Sequence, residues 1–93
     1  MPEKSVVLAN PSGLHARPAE RFARAAARFD GKVTVRKSGK GDVVDAKSVL
    51  SVLTLGCLQG DEIVIQAEGE GAAEALEELV DLIAGDQGED ASG

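Results

Sequence analysis

Turn-forming residues divide the chain into seven short segments, and this division limits the fold more than any other feature of the sequence. Glycine, proline, asparagine and aspartate cluster between the segments, as in Asn10-Pro11-Ser12-Gly13 and Asp30-Gly31. No apolar run approaches the ~20 residues of a membrane-spanning helix. The chain is therefore expected to fold from short strands and helices joined by tight turns, without a membrane segment.

The spacing of apolar residues assigns each segment to a strand or a helix. Alternation with a period of two predicts strands, whereas apolar residues three and four positions apart predict helices. The predicted strands are residues 3–9, 32–37, 42–45 and 62–67, and the predicted helices are residues 16–28, 48–55 and 72–84. The order β-α-β-β-α-β-α favours an α+β fold in which helices cover one face of a mostly antiparallel sheet.

The length of the chain suits one modest core. Ninety-three residues fall within the range of a single domain. With two phenylalanines and no tryptophan or tyrosine, the core must be built from aliphatic side chains. Residues 1–84 are predicted to form the domain. Residues 85–93, which contain no large apolar side chain, are predicted to be a disordered acidic tail.

Charge is distributed unevenly along the chain. Residues 1–47 contain all ten basic residues and five acidic ones, whereas residues 48–93 contain eleven acidic residues and no basic one. One side of the predicted first helix carries four arginines, namely Arg17, Arg21, Arg24 and Arg28. This stripe is typical of a solvated helix face, but it also suits docking to an acidic partner protein. The net charge of −6 and the lack of stacking aromatics argue against nucleic-acid binding.

The only histidine, His15, stands directly before the first predicted helix. Pro18 suits the first turn of a helix, so His15 would lie beside the unpaired backbone amides of Ala16 and Arg17. Such a helix end is a natural phosphate-binding position, and Arg17 adds a forked cationic donor. Because a neutral imidazole is a nucleophile, these residues suit a carrier of a phosphoryl group on His15, and they suit an ordinary capping residue equally. The alternative is an ordinary helix-capping histidine.

Other chemistries lack the residues that they need. One histidine and Cys57, without paired ligand spacing, do not make a metal site, and no second base lies near a nucleophile. We therefore expect neither a metal nor a cofactor. The N-terminus lacks the basic-then-apolar layout of a signal peptide, and the single cysteine excludes an internal disulfide. A cytoplasmic location is expected.

The predicted second helix combines a capping serine with an apolar surface. Ser48 is a favoured N-cap residue, and a phosphate on Ser48 would also lie at a helix N-terminus. The segment from Ser48 to Leu55 is apolar nearly all round, so one side is expected to remain exposed for docking, with Val49, Leu50 and Leu53 as the candidate residues. The alternative is burial of these side chains beneath a loop.

Two motifs of the chain resemble the histidine-containing phosphocarrier (HPr) family of the bacterial sugar phosphotransferase system. They are GLHARP after the first strand and AKSVLSVLTLG before the fourth, and the resemblance covers roughly residues 3–84. It implies an open-faced sandwich with strand order 1-4-2-3 and three helices on one face. It also implies a phosphoryl carrier rather than an enzyme in the turnover sense, with the group on Nδ1 of His15 beside Arg17.

The same resemblance implies the partners. Enzyme I, which depends on phosphoenolpyruvate, would supply the phosphoryl group, and the IIA domain of a sugar permease would receive it. In the family, the serine that matches Ser48 is also a target of HPr kinase/phosphorylase. The docking surface would combine the first helix with the start of the second, and its candidate residues are Arg21, Arg24, Arg28, Lys47, Val49, Leu50 and Leu53.

The resemblance leaves two other functions open. One is a paralogue in the nitrogen-related regulatory branch, with the same chemistry at His15 and no sugar. The other is a docking module whose His15 is never phosphorylated. In each case we expect a monomer that meets its partners transiently.

Overall fold

The computed structural model describes residues 2–8, 16–39, 42–56 and 60–89, and for residues 16–18 and 84–89 the description concerns the backbone. Four strands and three helices follow one another along these ranges. They are β1 (Glu3–Val7), α1 (Ala16–Ala27), β2 (Lys32–Lys37), β3 (Val43–Asp45), α2 (Val49–Leu53), β4 (Glu62–Glu68) and α3 (Ala72–Glu89). The predicted order of elements is confirmed.

The four strands form one antiparallel sheet in the order β1-β4-β2-β3, which confirms the expected strand order. One row of paired residues crosses the sheet from Ser5 through Val64 and Arg36 to Val43. Strands β4 and β2 are central, and β1 and β3 form the two edges. The fold is the open-faced α+β sandwich expected from the sequence.

The core lies between one face of the sheet and the helices. The central strands contribute the buried residues Val33 and Val35 on β2 and Ile63, Val64, Ile65 and Ala67 on β4. The helices contribute the buried side chains Ala19, Phe22, Ala26, Val52, Leu76, Leu79 and Ile83. Residues two apart in a strand point to the same side, so Val33 and Val35, and likewise Ile63 and Ile65, share one face of the sheet.

The ends of several strands lie together at one end of the sheet. Strands β1 and β2 finish at this end, and β4 begins there. Two backbone hydrogen bonds show this: the amide of Leu8 donates to the carbonyl of Asp61 at 2.9 Å, and the amide of Ser38 donates to the carbonyl of Glu62 at 2.8 Å. The ammonium of Lys37 also lies 3.5 Å from the carboxylate of Asp61. Because α1 leads into β2 and runs opposite to it, α1 begins at this same end of the sheet.

Helix α3 is longer than the sequence pattern predicts. It was expected to end at Ala84, but it continues to Glu89, so that predicted end is wrong. Apolar periodicity records which residues are buried, and it stops at Ile83 because later turns add no large apolar side chain to the core. Gly85 and Gly88 each cost about 1 kcal/mol relative to alanine, which is too little to end a helix. The first five residues of the predicted tail, 85–89, are thus helical, and residues 90–93 lie outside the described residues.

Candidate functional site

The predicted phosphoryl acceptor, His15, lies outside the described residues, but the helix that follows it is described. Helix α1 begins at Ala16, as predicted, so Ala16 and Arg17 are its first two residues. The first four backbone amides of an α-helix have no partner within the helix, and they attract an anion. The phosphate-binding roles of Ala16 and Arg17 follow from this position and stay predictions.

The exposed side of α1 carries arginines that are engaged in weak ion pairs. The guanidinium of Arg24 lies 3.3 Å from Glu20 one turn earlier, and that of Arg28 lies 3.8 Å from Glu78 on α3. All four side chains are more than half exposed, and such pairs contribute at most about 1 kcal/mol. An acidic partner can therefore replace Glu20 and Glu78 at little cost.

Ser48 caps α2, as predicted. Its side-chain oxygen accepts a hydrogen bond of 3.3 Å from the backbone amide of Ser51, three residues later. Its φ and ψ angles of −107° and 116° are those of extended chain, which is usual at this position. The residue is partly exposed. The cap fixes where the short helix begins, and it leaves the Ser48 hydroxyl at the first turn of α2.

A turn before Ser48 holds this helix start in place. The carboxylate of Asp45 accepts a 2.9 Å bond from the amide of Lys47, and its carbonyl accepts a 3.2 Å bond from the amide of Ser48. The ammonium of Lys47 donates to the carbonyl of Phe29, just after α1, at 2.6 Å. Lys47, which was predicted to contact partners, is therefore a half-buried link between α1 and the start of α2.

The apolar residues of α2 divide between core and surface. Val52 is fully buried, with 0% of its area exposed, whereas Leu50 is 77% exposed. Val49 and Leu53 are partly buried and pack against the core. Of the three residues predicted to form an apolar docking patch, Leu50 is thus the exposed one, and Val49 and Leu53 flank it. Helix α2, which carries this patch, packs against α1, the helix that carries the arginines.

Sequence reasoning found the cap and the apolar helix, but it missed the role of Lys47. Lys47 and Phe29 are 18 residues apart, and no local pattern links a lysine to a distant backbone carbonyl. The turn at Asp45 did leave a signal, since aspartate commonly accepts a bond from the amide two residues later. The partner contact predicted for Lys47 stays a prediction, and its bond to Phe29 is an additional contact that the sequence did not predict.

Other kinds of site are not present in the part of the chain that the structure describes. Those ranges contain no group of three histidine, cysteine, aspartate or glutamate residues that could hold a metal ion. They also contain no helix long and apolar enough to cross a membrane.

The family model, the curated relatives and the solved structures that match this chain all belong to the same family. The family described as the PTS HPr component phosphorylation site matches residues 2–85. The phosphocarrier protein HPr of Streptomyces coelicolor is 46% identical over 84 residues, which are 90% of this chain and 89% of the relative. A crystal structure of HPr from Thermoanaerobacter tengcongensis has a TM-score of 0.85 and 40% identity, covering 95% of this chain and 97% of that one. An HPr dimer from the same organism has a TM-score of 0.70 and 39% identity, covering 94% and 98%.

The open-faced sandwich, the histidine directly before α1 and the capped second helix define the fold and motif of a phosphocarrier. This chain belongs to the HPr family of the phosphotransferase system, whose members carry phosphoryl groups between proteins.

Proposed function

We propose that His15 accepts a phosphoryl group on Nδ1 from phosphorylated enzyme I and passes it to the IIA domain of a sugar permease. The observation that carries this proposal is the start of α1 at Ala16, directly after the chain's only histidine. A helix N-terminus attracts a phosphate, and the family supplies the phosphotransferase setting. Ala16, through its amide, and Arg17, through its amide and guanidinium, are the proposed phosphate ligands.

The transfer needs no metal or cofactor held by this chain. In the first step, the lone pair of Nδ1 attacks the phosphorus carried by enzyme I, and a P–N bond forms while the bond to the donor breaks. In the second step, a nucleophile of the acceptor attacks the same phosphorus and His15 leaves with its lone pair. A helix end stabilises an anion by about 0.3–2 kcal/mol, which is small enough for the group to leave again.

The proposed docking surface joins the arginines of α1 to the exposed patch of α2. Arg21, Arg24 and Arg28 supply positive charge. Leu50, which Val49 and Leu53 flank, supplies the apolar contact with the partner. Charge of this kind steers an acidic partner and speeds its association, whereas a buried leucine slows dissociation. We assign Lys47 to holding the start of α2 against α1, because its ammonium is bonded to Phe29.

Ser48 is the proposed regulatory position, as a target of an HPr kinase/phosphorylase. Its hydroxyl lies at the first turn of α2, next to the patch around Leu50. A phosphate there would find the free amides of the helix start, so the fold should tolerate it. Its two negative charges would repel an acidic partner from the docking surface, which would lower the rate of transfer to His15.

In vitro phosphorylation tests the proposal. Wild-type protein, His15→Ala and Ser48→Ala are incubated with phosphoenolpyruvate, Mg²⁺ and enzyme I from several sources. We expect phosphate that is labile in acid and stable in base on wild type and on Ser48→Ala, and none on His15→Ala. Ser48→Ala serves as the matched control, since it removes the other proposed phosphorylation site. A folded wild-type protein that takes no label from any enzyme I would refute the carrier function.

The proposed working state is a cytoplasmic monomer. Its proposed docking surface is small, as expected for partners that exchange quickly. Because a related HPr has been solved as a dimer, the oligomeric state is a separate measurement. Sedimentation at several protein concentrations should give a constant mass near 9.6 kDa. A mass that doubles with concentration would contradict the monomer.

A further inference from the structure

A half-buried ion pair lies at the end of the sheet where α1 begins. The ammonium of Lys37, the last residue of β2, lies 3.5 Å from the carboxylate of Asp61, the residue before β4. These two side chains are 25% and 35% exposed, whereas those of the pair between Arg24 and Glu20 are 77% and 55% exposed. A pair that is mostly withdrawn from solvent is screened less by water and salt, so its attraction is stronger than that of an exposed pair.

The side chain of Lys37 leaves the sheet on the side that the helices cover. Val33 and Val35 precede it in β2 at intervals of two residues, and both belong to the core. Residues two apart in a strand point to the same side of the sheet. Lys37 therefore continues the buried row of β2 at the end of the sheet where α1 begins, with a cation in place of an apolar side chain.

The turn that carries Asp61 also holds the end of β1. The amide of Leu8 donates to the carbonyl of Asp61 at 2.9 Å, and the amide of Gly60 donates to the carbonyl of Leu8 at 2.6 Å. The side chain of Leu8 is buried, with 2% of its area exposed. Seven residues, 9–15, join Leu8 to the start of α1, and His15 is the last of them. The position of Leu8 therefore fixes one end of the segment that carries His15.

Packing does not restrain this turn at Gly60. Its φ of +92° is a conformation that glycine adopts readily, and within the described residues no atom would lie within 4 Å of a Cβ added there. The ion pair from Asp61 to Lys37 supplies a restraint from a side chain, because it ties the turn to the end of β2.

We propose that Lys37 and Asp61 are a positioning pair for phosphoryl transfer at His15. Their ion pair fixes the turn at Gly60 and Asp61, the turn fixes Leu8, and Leu8 fixes the start of the segment that ends at His15. The inference rests on the proposed function, because it concerns the transfer step itself. Attack of Nδ1 on phosphorus depends on alignment, and a misplacement of about 1 Å can lower a rate by about 100-fold. Neither side chain contacts the phosphoryl group in this proposal, since both act through the backbone of Leu8.

The test compares variants that break the pair with controls of equal charge. Asp61→Asn breaks it, and Glu62→Gln removes the exposed acid next in the chain. Lys37→Met breaks it from the other side, and Lys32→Met removes the exposed lysine at the opposite end of β2. Each variant and its control have the same net charge, one unit above or below −6. Lys37→Arg keeps a cation at the position and serves as the rescue.

The first readout is phosphorylation by enzyme I, at a temperature at which every variant is folded. We expect kcat for Asp61→Asn and Lys37→Met to fall at least ~5-fold below that of their controls, while KM stays within ~2-fold, because the docking residues of α1 and α2 are unchanged. Lys37→Arg should keep kcat within ~2-fold of wild type. The second readout is the ring proton resonances of His15, which are identified directly because the chain has one histidine. They should shift in the two variants that break the pair and stay in place in the controls.

Three results would overturn the inference: kcat values equal to those of the controls, a loss confined to KM, or ring resonances that do not shift. A pair with a purely structural role would lower Tm and leave kcat unchanged at a temperature at which all variants are folded, and this result also counts against positioning. In each of these cases wild type is labelled, so the proposed function stands. Failure of wild type to be labelled by any enzyme I would instead refute the proposed function and with it the positioning role.

Discussion

Truncating Leu50 and Val52 in turn should separate docking from folding. The two residues are two positions apart in α2, yet Leu50 is 77% exposed and Val52 is 0% exposed. Leu50→Ala removes a side chain that the folded protein leaves largely in water. Val52→Ala removes two carbon atoms from the middle of the core. If Leu50 is a docking residue, the first substitution should affect partner binding and the second should affect stability.

The expected magnitudes follow from these burials. Leu50→Ala should change the free energy of unfolding by less than ~0.5 kcal/mol, because it touches little of the core. Burial of a leucine against a partner contributes about 1.5–3 kcal/mol, and alanine retains part of it, so KM for enzyme I should rise roughly 5- to 30-fold. Val52→Ala should lose about 2–3 kcal/mol from transfer and cavity, which lowers Tm by roughly 8–20 °C in a domain of this size.

Two assays measure the effects of Leu50→Ala and Val52→Ala. Thermal unfolding by circular dichroism gives Tm, and enzyme I kinetics at a temperature at which both variants are folded give KM. The reasoning is refuted if Leu50→Ala lowers Tm as much as Val52→Ala does. It is also refuted if Leu50→Ala leaves KM unchanged, since the most exposed apolar side chain of α2 would then take no part in docking.

Three further substitutions test local contacts by urea unfolding, and a fourth, Gly39→Ala, is the control for the first. Gly31→Ala places a Cβ 1.9 Å from the carbonyl oxygen of Glu68 and should lower the free energy of unfolding by about 2–4 kcal/mol. Gly39→Ala, where φ is +82° but the space around the Cβ is open, should lower it by about 1–2 kcal/mol. Equal losses in the two variants would contradict the close approach at Gly31. Ser48→Ala removes the cap of α2 and should lower the free energy of unfolding by about 1 kcal/mol. An unchanged free energy would mean that the cap does not stabilise the fold. Lys47→Met removes the bond to the carbonyl after α1 and should cost about 1–2 kcal/mol, whereas a neutral result would show that water replaces it.

Much of the fold could be predicted because the local signals agree with one another. Strand β2 was predicted with its observed bounds, since valines alternate with polar residues between two turn signals. The start of α1 at Ala16 and the cap at Ser48 also agree with the structure, because proline in a first turn and serine at a cap act through their nearest neighbours. The candidate site was therefore predictable as far as it depends on helix ends.

The end of α3 was predicted wrongly for a specific reason. Apolar periodicity reports the part of a helix that is buried, and α3 buries its last large side chain at Ile83. The backbone continues as a helix to Glu89, which no apolar residue marks. A helix whose final turns are held by charge or solvent leaves no period in the sequence, so its length is underestimated.

The sequence by itself determined the type and order of the elements and the position of His15 before a helix. Tertiary structure alone decided which apolar residue of α2 faces solvent and where Lys47 binds. A helix of five residues makes little more than one turn, so its apolar period cannot show that Val49 and Leu53 pack against the core while Leu50 stays exposed. The bond from Lys47 to Phe29 joins residues that only the packing of α1 against α2 brings together. Local preferences act between neighbours in the chain, whereas exposure and docking depend on contacts between distant segments.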